Sequence, residues 1–425
     1  MRHALIRLYA LLKVDVKWIV LTGTSEVFNI TKKKIHNVLH GVATHDIMLN
    51  RKDKLIYNEW IKESFDKLKN LLAELDVVIV DDPQPSGLIP LIKKNYPNIK
   101  IIYRSHIQIY SRLIDKGEPQ NKTTWDFVWA NAKLADIFIS HPIKRFIPKD
   151  VPNEKVLYLP ATTDRLDGLN KKIRSFDKKY YYDIFNSILT KSDLKPLDLK
   201  RPYIIQVARF DPSKGITDVL ESYRKFRKLL FKSGVPDKKI PQLVIVGNGA
   251  NDDPEGMPIY QEVRHTIEMD TFKKFKDDIK VARLPHNDQL LNTLLDGASV
   301  ALQLSHREGF EIKVTEALMK GVPVVAYKTG GIPLQIKNEE TSFLVTQGKT
   351  SDVAEILEKL YHDKKLHEKI SFAAKNNIDD NYLTINSAYR WLFLSLFLAC
   401  GNSIKLDSRD FAVLEAKYLK KLLTK

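Results

Sequence analysis

The sequence predicts an α/β protein of two domains, each a parallel sheet with helices on both faces. Three observations lead there. The chain has 425 residues, more than one ordinary hydrophobic core accommodates. Short apolar runs of strand length alternate with segments of helical periodicity, the pattern of parallel strands joined by helical crossovers. Residues 165–200 then turn polar and lysine-rich between two such halves, as a connection between domains does.

Residues 1–13 read as an amphipathic helix. Arg7 interrupts the apolar core that a secretory signal needs, and no small-residue cleavage site follows. Val16–Leu21, Val77–Val80, Ile101–Tyr103, Ile137–Ser140 and Val156–Tyr158 read as buried strands, with helices over 53–75 and 121–134. The 165–200 stretch holds one aromatic, helix-like patch around Tyr180–Ile188. In the second half, strands are expected at Tyr203–Ala208, Leu243–Val246, Lys280–Ala282, Val300–Gln303, Val324–Ala326 and Ser342–Val345. Helices are expected around 215–231, 258–275, 286–296, 311–320, 351–361 and 364–378. Residues 384–398 carry Trp391, Leu392, Phe393 and Leu396 in a mostly apolar helix, which must be buried and is expected to pack back across both domains. The chain therefore divides into 1–165, a linker or insert at 166–200, 201–380, and a helical segment at 381–425. A doubly wound phosphate-binding domain usually opens with a strand and a glycine-rich turn into its first helix. This chain opens in what reads as that helix, so the strand and turn are expected to be missing.

Lys+Arg outnumber Asp+Glu by 68 to 52, a net charge of +16. The excess is spread over short runs such as Lys32–Lys34, Lys171–Lys172 and Lys273–Lys274, with no recognition helix or zinc spacing beside them. Solvated surface, not nucleic acid, is the expectation. The single cysteine, Cys400, excludes a disulfide within the chain; it fits a reducing, cytoplasmic compartment and a core position. The longest apolar run, Trp391–Cys400, is half the roughly 20 residues of a membrane span.

Two carboxylates, Glu308 and Glu316, stand eight positions apart across the start of the helix expected at 311–320. Eight helical residues span about 12 Å, whereas the acid and base of a glycoside hydrolase stand about 5 to 9.5 Å apart. The pair suits opposite ends of an elongated ligand such as a sugar joined to a phosphate. Helix N-terminal N–H groups near Phe310 would add an anion site between them. Arg209 leaves the strand at 203–208, and Lys214 follows at the start of a helix, where the dipole disfavours cations. A bound phosphate would explain both. Gly247-Asn-Gly249 follows a strand but lacks a third glycine, and Asp252–Asp253 read as turn residues. Asp82 and the Arg104-Ser-His106 run each follow a strand, at the sheet edge that faces the ligand crevice. His106 there has two readings, a hydrogen bond to a sugar hydroxyl or proton transfer.

Together these motifs resemble the retaining glycosyltransferases of family 4, which have the GT-B fold of two Rossmann-like domains flanking a cleft. Arg209 and Lys214, the Glu308-Gly-Phe…Glu316 pattern and the Gly330–Gly331 turn carry that resemblance. Within the family, the sequence is similar to the trehalose synthase and trehalose phosphorylase group through Asp82-Pro-Gln, Arg104-Ser-His, Phe138-Ile-Ser-His-Pro142, the run 160–170, Asp252-Asp-Pro-Glu-Gly256 and Arg307-Glu-Gly-Phe. The resemblance implies α-glucosyl transfer with retained configuration, and neither metal nor other cofactor. It implies that Arg209 and Lys214 hold the phosphate and that Glu308, with the N–H groups of Gly309 and Phe310, holds the donor glucose. Glu316 would take the ribose of a nucleotide-glucose donor, while Asp82, Arg104 and His106 would line the acceptor-glucose side. A phosphorylase would convert trehalose and phosphate to α-glucose 1-phosphate and glucose, reversibly. The alternatives are a synthase using nucleotide-glucose and a sugar-binding paralogue without turnover. Partners would be these small molecules, with a homodimer compatible. Neither Glu308 nor Lys214 is expected in the core.

Overall fold

The computed structural model describes residues 2–248, 256–402 and 409–423. Asp252, Asp253 and Gly249 lie outside the described residues. The chain forms two units: Met1–Thr162 with Thr384–Lys425, and Thr163–Leu383.

The first unit is built on a four-stranded parallel sheet of β1 (Val77–Asp81), β2 (Lys100–Arg104), β3 (Ile137–Ser140) and β4 (Val156–Tyr158), in that spatial order. Alternation along the strands sorts the side chains to two faces. Ile101, Tyr103, Phe138 and Val156 meet Tyr57, Ile61 and Phe65 of the helix Arg51–Leu72 and Trp125 and Val128 of Pro119–Ala132. Ile102, Ile137, Ile139 and Leu157 meet Trp391, Leu394 and Phe397 of the helix Thr384–Ala399, together with Leu5 and Tyr9 of Arg2–Leu11. The apolar C-terminal helix is thus buried on the first unit's sheet, and the Tyr9 hydroxyl donates to the Ala388 carbonyl at 2.8 Å. The helix Arg51–Leu72 starts where its sequence directs, with a reciprocal capping box between Asn50 and Asp53.

Val16–Leu21 departs from its expectation. It forms no strand, and Trp18, Ile19 and Val20 are 46, 47 and 70% exposed. A run of β-branched residues becomes a strand only when a neighbouring backbone answers its N–H and C=O groups. β1, the edge strand, pairs with β2 alone among the described strands, and its Ile79 is exposed. Cys400, expected in the core, is exposed at the turn that ends Thr384–Ala399. No described helix is long and apolar enough to cross a membrane.

The second unit holds a six-stranded parallel sheet: β5 (Tyr203–Val207), β6 (Gln242–Asn248), β7 (Ile279–Leu284), β8 (Val300–Gln303), β9 (Val324–Tyr327) and β10 (Phe343–Val345). Their order is β10-β9-β8-β5-β6-β7. From β5 the chain winds outward through β6 and β7, then returns to lay β8 on the other side of β5. That reversal is a topological switch point, and the crevice beyond the carboxyl ends of the two strands is where doubly wound sheets bind ligands. Residues 166–200, expected as a linker, contain the helix Ser175–Lys191; its Phe185 and Leu189 are fully buried with Tyr203 and Ile205 of β5. The polar face of that helix produced the linker-like composition, and its aromatic face joins this core.

Asp278, the residue before β7, bridges the guanidinium groups of Arg201 (2.7 Å) and Arg227 (2.6 Å), and Arg227 is almost wholly buried. Truncation of the shared carboxylate would leave the Arg201 guanidinium without this ion pair and Arg227 with the Asp237 carboxylate (2.7 Å) as its ion-pair partner. Asp278→Ala should cost about 3 kcal/mol of stability, read as a lowered denaturant midpoint at unchanged slope; a loss under about 1 kcal/mol would place the bridge among ordinary surface pairs.

Candidate active site

The ends of β5 and β8 bring Lys214 and Glu308 together. After β5 the chain passes Arg209 and makes a tight turn in which the Asp211 carboxylate accepts from the Ser213 backbone N–H (2.8 Å) and hydroxyl (2.6 Å). A short 3₁₀ turn, Pro212–Lys214, follows, and Gly215 leads into the helix Ile216–Lys232. Gly215 has φ of 59°, and a Cβ there would overlap the carbonyl of Leu304, the residue after β8. Only glycine lets the two loops approach this closely. Gln206 of β5 donates to the Lys214 carbonyl at 3.0 Å, and the His306 N–H donates to that of Ser213 at 2.7 Å.

Lys214 therefore points into the loop after β8. Its ammonium is hydrogen-bonded to the Glu308 carboxylate and, at 3.0 Å, to that of Glu311; the three side chains are 11, 14 and 9% exposed. Burial disfavours all three charges. For Lys214 the two carboxylates outweigh burial and raise its pKa. For Glu308 burial dominates, reinforced by Glu311, and its pKa rises. For Glu311 burial is outweighed by Lys214, which holds its carboxyl below the usual range.

Gly330 and Gly331 fix the Glu308 backbone. Gly330 has φ of 55° and a Cβ there would overlap the Glu308 carbonyl, while the Gly331 N–H donates to Gly309 O at 2.8 Å. Gln335 reaches back to the Phe310 carbonyl (2.6 Å) and accepts from the Thr315 hydroxyl (2.6 Å), locking the loop to the helix Ile312–Met319. Beneath it, Asp218 joins His306 (2.9 Å) and Tyr327 (2.8 Å).

In the first unit, Asp82 follows β1 with φ of 72°. Its N–H donates to the Arg104 carbonyl (2.7 Å), and its carboxylate accepts from the N–H groups of His106 (2.7 Å) and Ile107 (3.1 Å). His141, after β3, hydrogen-bonds through Nε2 to the His106 carbonyl at 2.7 Å, with ring centroids 5.3 Å apart. Arg104 is 3% exposed; its guanidinium lies 5.6 Å from the Trp391 ring centroid, and burial pushes its pKa down to about 10.

Residues 1–148 match the model described as trehalose synthase, N-terminal domain, and residues 190–377 that of glycosyl transferases group 1. A trehalose phosphorylase of Pleurotus pulmonarius is 46% identical over 95% of this chain and 56% of its own length. A trehalose synthase of Thermococcus litoralis is 32% identical over 92% of this chain and 85% of its own. The chain belongs to the trehalose synthase and phosphorylase family of glycosyltransferases. Among solved structures, a sucrose-phosphate synthase from Thermosynechococcus elongatus aligns with TM-score 0.64 at 16% identity, covering 85% of this chain and 82% of that one. An α,α-trehalose-phosphate synthase (UDP-forming) from Burkholderia xenovorans aligns with TM-score 0.62 at 15% identity, covering 87% and 84%. These likenesses speak for the fold, two parallel-sheet α/β domains of the GT-B type. The chain spans about half the length of the phosphorylases it matches.

Against the site expected for this family, the structure gathers Lys214, Glu308, Gly309 and Phe310 around one loop. Arg209 leaves the adjoining strand, its guanidinium 3.7 Å from Asp211 and its side chain 46% exposed. Asp82, Arg104 and His106 lie together at the ends of β1 and β2, Arg104 with its side chain buried. Three details differ from expectation. Lys214 and Glu308 are buried, in a cluster where the Lys214 ammonium is shared between the Glu308 and Glu311 carboxylates. The start of the helix Ile312–Met319 already holds a carboxylate, since Glu311 accepts from the Lys313 N–H at 3.3 Å. Glu316 is 2% exposed and ion-paired with Lys313 at 2.6 Å. Sequence reasoning missed Glu311 altogether: glutamate is a poor helix cap by type, and nothing in its spacing separates it from a surface residue. Among the described residues no group of three or more His, Cys, Asp or Glu could hold a metal ion.

Removal of the Lys214 ammonium would leave Glu308 and Glu311 facing each other. Their folded-state pKa values would then lie above the unfolded ones, so stability is retained in acid and lost as pH rises through the folded values. Lys214→Ala should cost about 3 kcal/mol near neutral pH, with the gap to the unsubstituted protein narrowing towards about pH 5. A gap independent of pH in thermal melts would refute the carboxylate pairing.

Proposed function

We propose that the protein is a trehalose phosphorylase, converting trehalose and inorganic phosphate reversibly to α-glucose 1-phosphate and glucose with retention at the anomeric carbon. The observation that carries this reading is the Lys214 ammonium at the switch point of the second sheet, buried against Glu308 with Arg209 on the adjoining strand end. The 46% identity to a protein named trehalose phosphorylase supports it.

An ammonium has three donors, and the two carboxylates account for two of them. The third is available to a phosphoryl oxygen, with the more exposed Arg209 guanidinium supplying bidentate geometry. Phosphate held there attacks C1 as the glycosidic C1–O bond breaks, and its proton passes to the departing glucose oxygen. Arg209 and Lys214 stabilise charge on the phosphate in the reverse direction, where it is the leaving group. Glu308, set by Gly330 and Gln335, anchors hydroxyls of the transferred glucose. Asp82 and His106 are the acceptor-glucose contacts in this reading, with Arg104 holding the β2 end in place.

A second reading, a synthase using nucleotide-glucose, has one observation in its favour: the chain covers 85% of the length of a protein named trehalose synthase but 56% of the phosphorylase. Incubation of the protein with trehalose and phosphate should release α-glucose 1-phosphate. Trehalose formed only when nucleotide-glucose is supplied would overturn the reading. Arg209→Ala, on a half-exposed side chain, should leave the fold intact and lower kcat/KM for phosphate about a hundredfold; an unchanged value would remove Arg209 from the phosphate cradle.

A further inference from the structure

Glu311 is an outlier that the proposed reaction leaves unexplained. It has φ of 61°, a left-handed conformation that is uncommon away from glycine and strained for a residue with a Cβ. Glycine would relieve it. The strained backbone places one carboxylate oxygen on the Lys214 ammonium at 3.0 Å and the other on the Lys313 backbone N–H at 3.3 Å. That N–H is among the groups that a helix start offers to an anion. Two residues on, the Lys313 side chain is 2.6 Å from Glu316, which is 2% exposed. The neighbouring backbone is tied down as well, for Lys320 donates to the Leu169 carbonyl at 2.8 Å, and Asn292 to those of Gly168 (3.0 Å) and Lys171 (2.8 Å). From Lys214 into the helix, the Lys214 and Lys313 ammonium groups and this helix-start N–H are each answered by a carboxylate of the protein itself.

We propose that Glu311 is the specificity-determining residue of the anion site: with Glu316 it occupies the donors that a second phosphoryl group would need, so the site takes one phosphoryl group and rejects a nucleoside diphosphate. The proposal rests on the assignment of Arg209 and Lys214 as the phosphate cradle. In that cradle one phosphoryl group meets a Lys214 hydrogen and the Arg209 guanidinium. A diphosphate would divide those between two charged groups, and on the helix side its second group would meet the Glu311 carboxylate. Like-charge contact in a partly dehydrated site is strongly unfavourable. Glu311→Gly would release the Lys313 N–H, remove the charge and relieve the strained φ together.

Calorimetric titration tests this, with α-glucose 1-phosphate, inorganic phosphate, UDP and ADP as ligands. The unsubstituted protein should bind α-glucose 1-phosphate at least about a hundredfold more tightly than UDP or ADP, and Glu311→Gly should narrow that ratio at least about tenfold. Equal affinity for the nucleotides in the unsubstituted protein, no binding of phosphate or its ester, or an unchanged ratio in a folded Glu311→Gly protein would each overturn the proposal. Should that variant fail to fold, Glu311→Gln, which keeps the shape and removes the charge, gives the same comparison. Tight UDP binding by a protein that still phosphorolyses trehalose defeats this inference and leaves the phosphorylase reading standing. Strong discrimination without phosphorolysis does the reverse.

Discussion

One ammonium between two carboxylates organises the second unit's site. Removing an ion from water carries a penalty of several kcal/mol even after relaxation, and here three ionisable groups are buried together. Their formal charges do not balance, so the excess is absorbed by a rise in the pKa of Glu308 while Glu311 stays ionised. Such a cluster survives only if its geometry is held from outside. Gly215 lets the Lys214 turn sit against Leu304, Gln206 and His306 hold the carbonyls of that turn, and Gly330 with Gln335 clamps the Glu308–Phe310 backbone. The conspicuous sequence motifs of the region are therefore the supports of one charge cluster contributed by two loops.

Topology decides which loops those are. The return of the chain to lay β8 beside β5 puts the loops after the two strands side by side, although Lys214 and Glu308 are 94 positions apart. In the first unit the strands run β1 to β4 in simple succession, and its polar cluster is assembled differently, by Asp82 reaching from the end of β1 to the backbone beyond β2.

Much of this was legible in the sequence because the signals are local. Strands such as Tyr203–Val207 and Val300–Gln303 are continuous apolar runs between helices of clear period, and the Glu308-Gly-Phe and Gly-Gly motifs lie within one stretch. Lys214 stood out by its cost at a helix start, and the structure answers that cost with the carboxylates of Glu308 and Glu311. What escaped depends on partners far along the chain. Val16–Leu21 has strand composition but pairs with no other strand among the described residues. Residues 166–200 look like a linker until the aromatic face of Ser175–Lys191 is seen to meet β5. The burial of Lys214 and the engagement of Glu316 by Lys313 follow from side-chain pairing that composition does not encode.

Strain marks what pattern could not. Five described residues other than glycine have positive φ: Lys13, Asp82, Asp193, Glu311 and Glu339. Lys13 and Asp193 close the helices Arg2–Leu11 and Ser175–Lys191, and Glu339 lies in a tight reversal whose N–H donates to Ser342 O. Those are ordinary chain reversals, where a left-handed residue satisfies the backbone. Asp82 and Glu311 are of another kind. Asp82 follows β1 and Glu311 caps the helix Ile312–Met319, and each turns a carboxylate onto backbone N–H groups, those of His106 and Ile107 in one unit and that of Lys313 in the other. An N–H so engaged presents a fixed arrangement to a ligand, or withholds itself from one. Glycine at either position would be relaxed and would leave those amides open. The acidic residue in a strained conformation, one at each unit's polar cluster, thus fixes which backbone N–H groups there are already engaged by the protein itself.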